Sequence, residues 1–175
     1  MPAITLYTIG HSNRSLEEFL DLLDETGINS LVDVRAYPYS KRYPHFNEDS
    51  LRQAMEQSGK IYHWVGRQLG GKRQVVMGSP HVALKDEGLR AYADYMGTDD
   101  FQVAVMQLIN MASHERIAVM CAERSPENCH RSLIADYLVL QGVCVMHLIS
   151  EVEVKEHYLN GFARRESSEL IYDRG

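Results

Sequence analysis

Arg116-Ile117-Ala118-Val119-Met120-Cys121-Ala122-Glu123-Arg124-Ser125-Pro126-Glu127-Asn128-Cys129-His130-Arg131 runs from an apolar segment into a dense group of reactive residues. Ile117 to Met120 reads as a short buried strand, and Ser132 to Leu140 reads as a helix stopped by Gly142. Cysteines, a histidine, a glutamate and arginines thus crowd into a strand-to-helix turn. Parallel α/β proteins place ligand sites at such turns, because free backbone N–H groups face outward there.

The same alternation extends in both directions. Ile4 to Ile9 is an apolar strand followed by the polar turn Gly10-His11-Ser12-Asn13-Arg14. Ser15 and Glu18 form a capping box, Leu16, Phe19, Leu20 and Leu23 make one apolar helix face, and Gly27 ends it. Ile28 to Val34 is a second strand, and period-two alternation sends Asp33 and Arg35 out together at its end. Residues 36–47 form a loop with two prolines, Asn47 caps a helix to about Gln57, and Ile61 to Val65 is a third strand. Gly70-Gly71-Lys72-Arg73 reads as a flexible basic turn. Two helices, about Leu89 to Met96 and Asp100 to Met111, lead into the opening strand, and Val143 to Ile149 closes the pattern. The order predicts an α/β fold: a single-domain three-layer sandwich with a mainly parallel sheet of about five strands over residues 1–150. Residues 151–175 read as a C-terminal extension, a helix and then a frayed tail.

At 175 residues and 45% hydrophobic, the chain can build one ordinary core. A net charge of −6 disfavours sequence-blind binding to long polyanions, although an arginine cluster can still hold one phosphate. No run is long and apolar enough to span a membrane, and three cysteines do not make a disulfide framework. The expectation is a soluble cytoplasmic protein without a membrane partner. The sequence specifies no cofactor.

Strand ends in such a sheet share one edge, so His11 and Ser12, Asp33 and Arg35, and Glu123 to Arg131 are expected to converge. His11, Asp33, Glu123 and His130 are the candidate catalytic groups, since partly buried carboxylates and imidazoles can move protons. Ser12, Arg35, Ser40, Arg42, Cys129 and Arg131 are the candidate ligand-binding groups, the arginines offering forked donors to phosphate, sulfate or carboxylate. The plainer alternative pairs those arginines with Asp33, Glu123 or Asp136 to hold loops. Cys129, near a helix start beside His130 and Arg131, is placed to favour a thiolate. The loop nevertheless lacks the Cys-x5-Arg spacing of cysteine phosphatases. Cys121, Glu123, Cys129 and His130 are an alternative set of metal ligands. Tyr37, Tyr39, Tyr43 and Phe46 can stack on a planar base or anchor the loop.

Thr8-Ile9-Gly10-His11-Ser12, Asp33-Val34-Arg35 with Pro38 and Ser40, Leu69-Gly70-Gly71, Tyr92-Ala93-Asp94-Tyr95-Met96, and Met120-Cys121-Ala122-Glu123 with Cys129-His130-Arg131-Ser132 together resemble the domain of unknown function 488 family. The resemblance runs from about Leu6 to Ile149 and implies an α/β fold without fixing a reaction. After Ser40 the family commonly carries an arginine. Lys41 stands here, with Arg42 one place later.

Three functional readings follow. The first is an enzyme using acid/base chemistry on a small anionic ligand or nucleotide, the second a nucleic-acid binding module, and the third a metalloprotein.

Overall fold

A computed structural model describes residues 3–167 and 169–174. The strands are β1 (Thr5–Gly10), β2 (Ser30–Asp33), β3 (Ile61–Trp64), β4 (Ile117–Cys121), β5 (Cys144–Leu148), β6 (Val154–Glu156), β7 (Ala163–Glu166) and β8 (Glu169–Tyr172). The helices are α1 (Leu16–Thr26), α2 (Glu48–Gln57), the single turn α3 (Gly66–Leu69), α4 (Glu87–Tyr95), α5 (Asp99–His114) and α6 (Arg131–Leu140).

The main sheet has the order β3-β2-β4-β1-β5-β6. Its first five members are parallel, and β6 adds antiparallel to β5 at one edge. This is the α/β architecture read from the sequence. Successive side chains of a strand point to opposite faces, so each strand feeds two cores. Ile9, Leu31, Ala118 and Met120 pack on one face with Phe19, Leu22 and Leu23 of α1 and Leu51 and Met55 of α2. Leu6, Val32, Val119 and Val145 pack on the other with α4, α5 and α6.

Local chemistry sets the helix ends. The Glu18 backbone N–H donates to Ser15 Oγ at 3.0 Å, and the Glu18 carboxylate accepts the Ser15 N–H at 3.3 Å, closing the expected box. Thr98 caps α5 by accepting from the Phe101 N–H, and Asp86 caps α4 from the Leu89 N–H. Asn47 precedes α2 but does not cap it with its side chain. Its amide oxygen instead accepts the Ser40 N–H at 2.6 Å, which folds the 36–47 loop back on itself. Phe46 in that loop is fully buried.

The Gly70–Gly71 turn is ordered rather than free. A Cβ on Gly71 would lie 2.8 Å from the His130 ring, and the Arg73 guanidinium stacks 3.6 Å over Tyr95. Tyr92 and Tyr95 donate to the Leu69 and Gln68 carbonyls, so two of the recurring motifs brace one another.

The C-terminal extension differs from the expected helix and frayed tail. It forms β6 and a β7–β8 hairpin. Its scattered apolar residues fit a strand period, with Leu170 and Tyr172 buried on one side of β8. The extension is also tied down by polar groups. Tyr172 donates to Asp136 Oδ2 at 2.8 Å and His157 to Asp136 Oδ1 at 2.7 Å.

Candidate functional site

The chain runs from β1 through β2 to β3 over the α1/α2 face, then returns to β4 and β5 over the opposite face. The loops after the neighbours β1 and β4 therefore leave in opposite directions, and a crevice opens between them at the carboxyl ends of the strands. A cleft of about 530 Å3 lies there. It is lined by His11, Ser12 and Asn13 after β1, Arg35 to Tyr43 in part after β2, and Ala122 and Glu123 after β4. A larger hollow of about 880 Å3 sits at the opposite ends of the strands, among Ile4, Thr5, Gly27, Asn29 and residues 112–116, where the catalytic candidates are absent.

Backbone bonds hold the two loops together. The His11 and Ser12 N–H groups donate to the Cys121 and Ala122 carbonyls, both at 2.9 Å. Gly10 permits this approach, since a Cβ there would fall 1.7 Å from the Glu123 carbonyl oxygen. Ser12 takes a left-handed φ of 49°, a conformation that costs a non-glycine residue about 1 kcal/mol and turns the chain sharply at the cleft wall.

Asp33 and Arg35 emerge together as expected, but bound to each other. Arg35 Nε donates to Asp33 Oδ1 at 2.9 Å and Nη2 to Oδ2 at 2.7 Å. The Arg35 N–H and the Tyr62 hydroxyl also donate to this carboxylate. All four acceptor positions of Asp33 are thus used, and the residue is fully buried. These four bonds clamp Asp33 to Arg35, Tyr62 and the adjoining backbone. Although burial opposes it, the Asp33 partnership raises the Arg35 pKa, and burial followed by the Asp33 charge pushes the Tyr62 phenol up as well. Arg35 Nη2 donates also to the Phe46 carbonyl. Among the described residues Nη1 makes no hydrogen bond, and it is not among the buried polar atoms lacking one. One edge of a fixed guanidinium therefore faces the cleft.

His11 is held just as firmly. Its ring stacks on Phe46 at 4.6 Å and meets Tyr43 edge-on. Nδ1 lies 2.9 Å from the Ser12 carbonyl, which only accepts, so Nδ1 carries the proton and Nε2 the lone pair. Burial, helped by the charge on Arg35, lowers the pKa to about 4, and the imidazole is neutral at pH 7. Glu123 and Arg42 are exposed at the cleft, and Arg42 makes no ion pair among the described residues. Ser40 lines it as well, with its Oγ accepting the Tyr43 N–H.

Three expected site residues lie elsewhere. Arg131 is fully buried. Its Nη1 donates to Thr8 Oγ1 at 3.2 Å and its Nη2 to the Glu123 and Arg124 carbonyls, both at 3.0 Å. It ties the β4 loop down from below and cannot touch a ligand. Cys129 is buried with Sγ 3.0 Å from Cys121 Sγ, and that bond followed by burial pushes its pKa up, against the expected thiolate. His130 sits behind the Gly70–Gly71 turn. Its Nε2 reaches the Val34 carbonyl at 3.2 Å, and burial lowers its pKa to about 4. Cys121, Cys129 and His130 cluster on that side while the Glu123 side chain lines the cleft, so the alternative metal set does not assemble. Among the described residues no group of three or more such side chains is placed to hold a metal.

A second polar feature has no signature in the sequence. From Arg131 a chain of hydrogen bonds runs through Thr8 Oγ1 to His147 Nδ1, from His147 Nε2 to His157 Nδ1 at 2.8 Å, and from His157 Nε2 to Asp136. Asp136 only accepts here, so His157 Nε2 carries a proton and donates it. Burial and then the neighbouring His157 lower the His147 pKa to about 3.

His11, His130 and His147 therefore titrate far below their ordinary 6.5 in the folded protein. Between pH 6.5 and about 4 the unfolded chain binds more protons than the native one, so stability is full above 6.5 and falls with acidification. Each histidine contributes about 1.4 kcal/mol per pH unit in that window. Urea unfolding at about pH 7.5 and about pH 5.5 should differ by roughly 4 kcal/mol at most, the acid sample being weaker. Equal stability at both would mean that these imidazoles are not held neutral.

Fold and cleft together define a doubly wound α/β protein with a polar site at its topological switch point. Residues 15–138 match the family described as Domain of unknown function DUF488, and the chain belongs to that family. The match takes in Asp33, Arg35 and the β4 turn, and begins just past His11 and Ser12. No curated protein and no solved structure matches the chain.

Proposed function

We propose that the switch-point cleft is an anion site that binds a phosphorylated small molecule or nucleotide and acts on it by acid/base chemistry. The observation that carries this reading is the Arg35 guanidinium, fixed on two sides by Asp33 and Phe46 with Nη1 left for a ligand. A preorganised donor loses little freedom on binding, and a charge-assisted bond from it is worth more than one from a mobile side chain. Arg42 and Ser12 add donors around the same space, Glu123 is a carboxylate able to exchange protons with a ligand, and the neutral His11 ring presents the lone pair of Nε2. Tyr37 and Tyr39, exposed and packed edge to face at 5.6 Å, offer a rim on which a planar base can stack.

The same exposed aromatics, with Lys41 and Arg42, favour as second reading a module that binds single-stranded nucleic acid without turnover. Its affinity would fall steeply with salt.

Thermal unfolding with orthophosphate, sulfate, adenosine monophosphate and a short oligonucleotide tests both. A ligand at about 100 times its dissociation constant adds about 2.7 kcal/mol, a shift of several degrees. Arg42→Ala, at an exposed position, should leave the unliganded protein within about 0.5 kcal/mol and weaken phosphate binding about tenfold. A shift from the oligonucleotide alone, abolished by salt, would select the second reading. No shift from any of the four would remove the anion site.

A further inference from the structure

We propose that His11 Nε2 is the nucleophile of a two-step hydrolysis of phosphate monoesters, carried through a phosphohistidine. This rests on the anion-site reading and goes beyond it by naming the reacting atom and the substrate class.

Four observations lead to it. The Nδ1–H bond to the Ser12 carbonyl leaves the lone pair on Nε2 and no other place for it. Stacking on Phe46 and the edge contact with Tyr43 prevent the ring from turning, so the lone pair has one direction. Nε2 makes no protein hydrogen bond among the described residues and is not among the buried polar atoms lacking a partner, so it opens to the cleft that His11 lines. Arg35 flanks the same cleft with its free Nη1, and Glu123 lines it from the β4 loop. Nucleophile, oxyanion donor and proton carrier thus come from three strand ends onto one space, the arrangement that covalent catalysis needs.

The low basicity of the ring argues for attack rather than proton removal. An imidazole titrating near 4 is a poor general base at neutral pH, because efficient proton transfer wants a pKa near the working pH. Nucleophilic attack needs only the unprotonated lone pair, which is fully present. The Ser12 carbonyl then stabilises the positive charge that the ring acquires as the bond to phosphorus forms.

In the first step the Nε2–P bond forms while the ester P–O bond breaks. The leaving alkoxide takes a proton from water, leaving hydroxide, and Arg35 and Arg42 hold the phosphoryl oxygens. In the second, water attacks phosphorus and gives a proton to the Glu123 carboxylate, which passes it to that hydroxide. The N–P bond breaks, orthophosphate departs and the neutral imidazole is restored.

The test is to mix the protein with acetyl phosphate or with p-nitrophenyl phosphate, quench in alkali, digest and map phosphoryl groups by mass spectrometry, with orthophosphate binding measured alongside. One alkali-stable, acid-labile phosphoryl group is expected on His11 of the wild type. It should be absent from His11→Asn, and should accumulate at least tenfold in Glu123→Gln, where hydrolysis of the intermediate is slowed. The mapping in the wild type does not depend on how the variants fold. Orthophosphate binding with no His11 adduct from either donor, in wild type and Glu123→Gln alike, would overturn the covalent step and leave the anion site standing. Absence of both binding and adduct would overturn the two together.

Discussion

Arg131→Ala is expected to lower the unfolding free energy by about 3–5 kcal/mol, the largest effect of any arginine substitution in the chain. Arg131 is fully buried and has no carboxylate partner among the described residues. Its charge is balanced by the carbonyl dipoles of Glu123 and Arg124 and by Thr8 Oγ1. Truncation leaves two carbonyls and a hydroxyl without their donor, at about 1–3 kcal/mol for each buried group left unpaired, and opens a cavity beneath the β4 loop. That loop delivers Glu123 to the cleft, so ligand binding should weaken as well, through displacement of the loop and not through a lost contact. Arg131→Met, which keeps most of the volume and removes the buried charge, should retain more stability. Urea unfolding of the two variants settles the matter. Wild-type stability in Arg131→Ala would mean that the loop is anchored by something else.

Asp33→Ala is expected to cost a similar amount, about 3–5 kcal/mol, for a different reason. The substitution removes a carboxylate that accepts four hydrogen bonds and strands the nearly buried Arg35 cation beside it. Breaking one partner of a buried pair is costly because the other charge remains uncompensated, whereas replacing both by apolar groups of similar volume is often nearly neutral. Asp33→Leu combined with Arg35→Met should therefore recover much of the stability lost in Asp33→Ala while losing phosphate binding. A double variant that still binds phosphate with wild-type affinity would separate Arg35 from the anion site.

The fold was legible because its signals are local. The Ser15–Glu18 box and the apolar runs at Ile4, Ile28, Ile117 and Val143 each lie within a few residues. So was the meeting of His11, Ser12, Arg35 and Glu123, since a parallel sheet brings its strand ends to one edge. Which way each side chain faces was less accessible. Arg35 and Arg131 look alike as arginines beside strand ends, yet one keeps an edge in the cleft and the other is sealed under the neighbouring loop. That difference depends on strand order, which local patterns do not contain. Asp33 and Arg35 were correctly placed on one side of β2, but their alternation could not reveal that they satisfy each other. The Thr8–His147–His157–Asp136 chain joins residues up to 139 positions apart and has no periodic trace. The C-terminal strands were missed because three or four residues are too few for alternation to stand out against a charged background.

A crystal structure of the protein grown with tungstate, a heavy tetrahedral oxyanion that stands in for phosphate, tests the anion site most directly. The anion is expected in the switch-point cleft, bonded to Arg35 Nη1 and within contact of His11 Nε2. An empty cleft, with tungstate bound elsewhere or nowhere, would mean that the cleft is not an anion site.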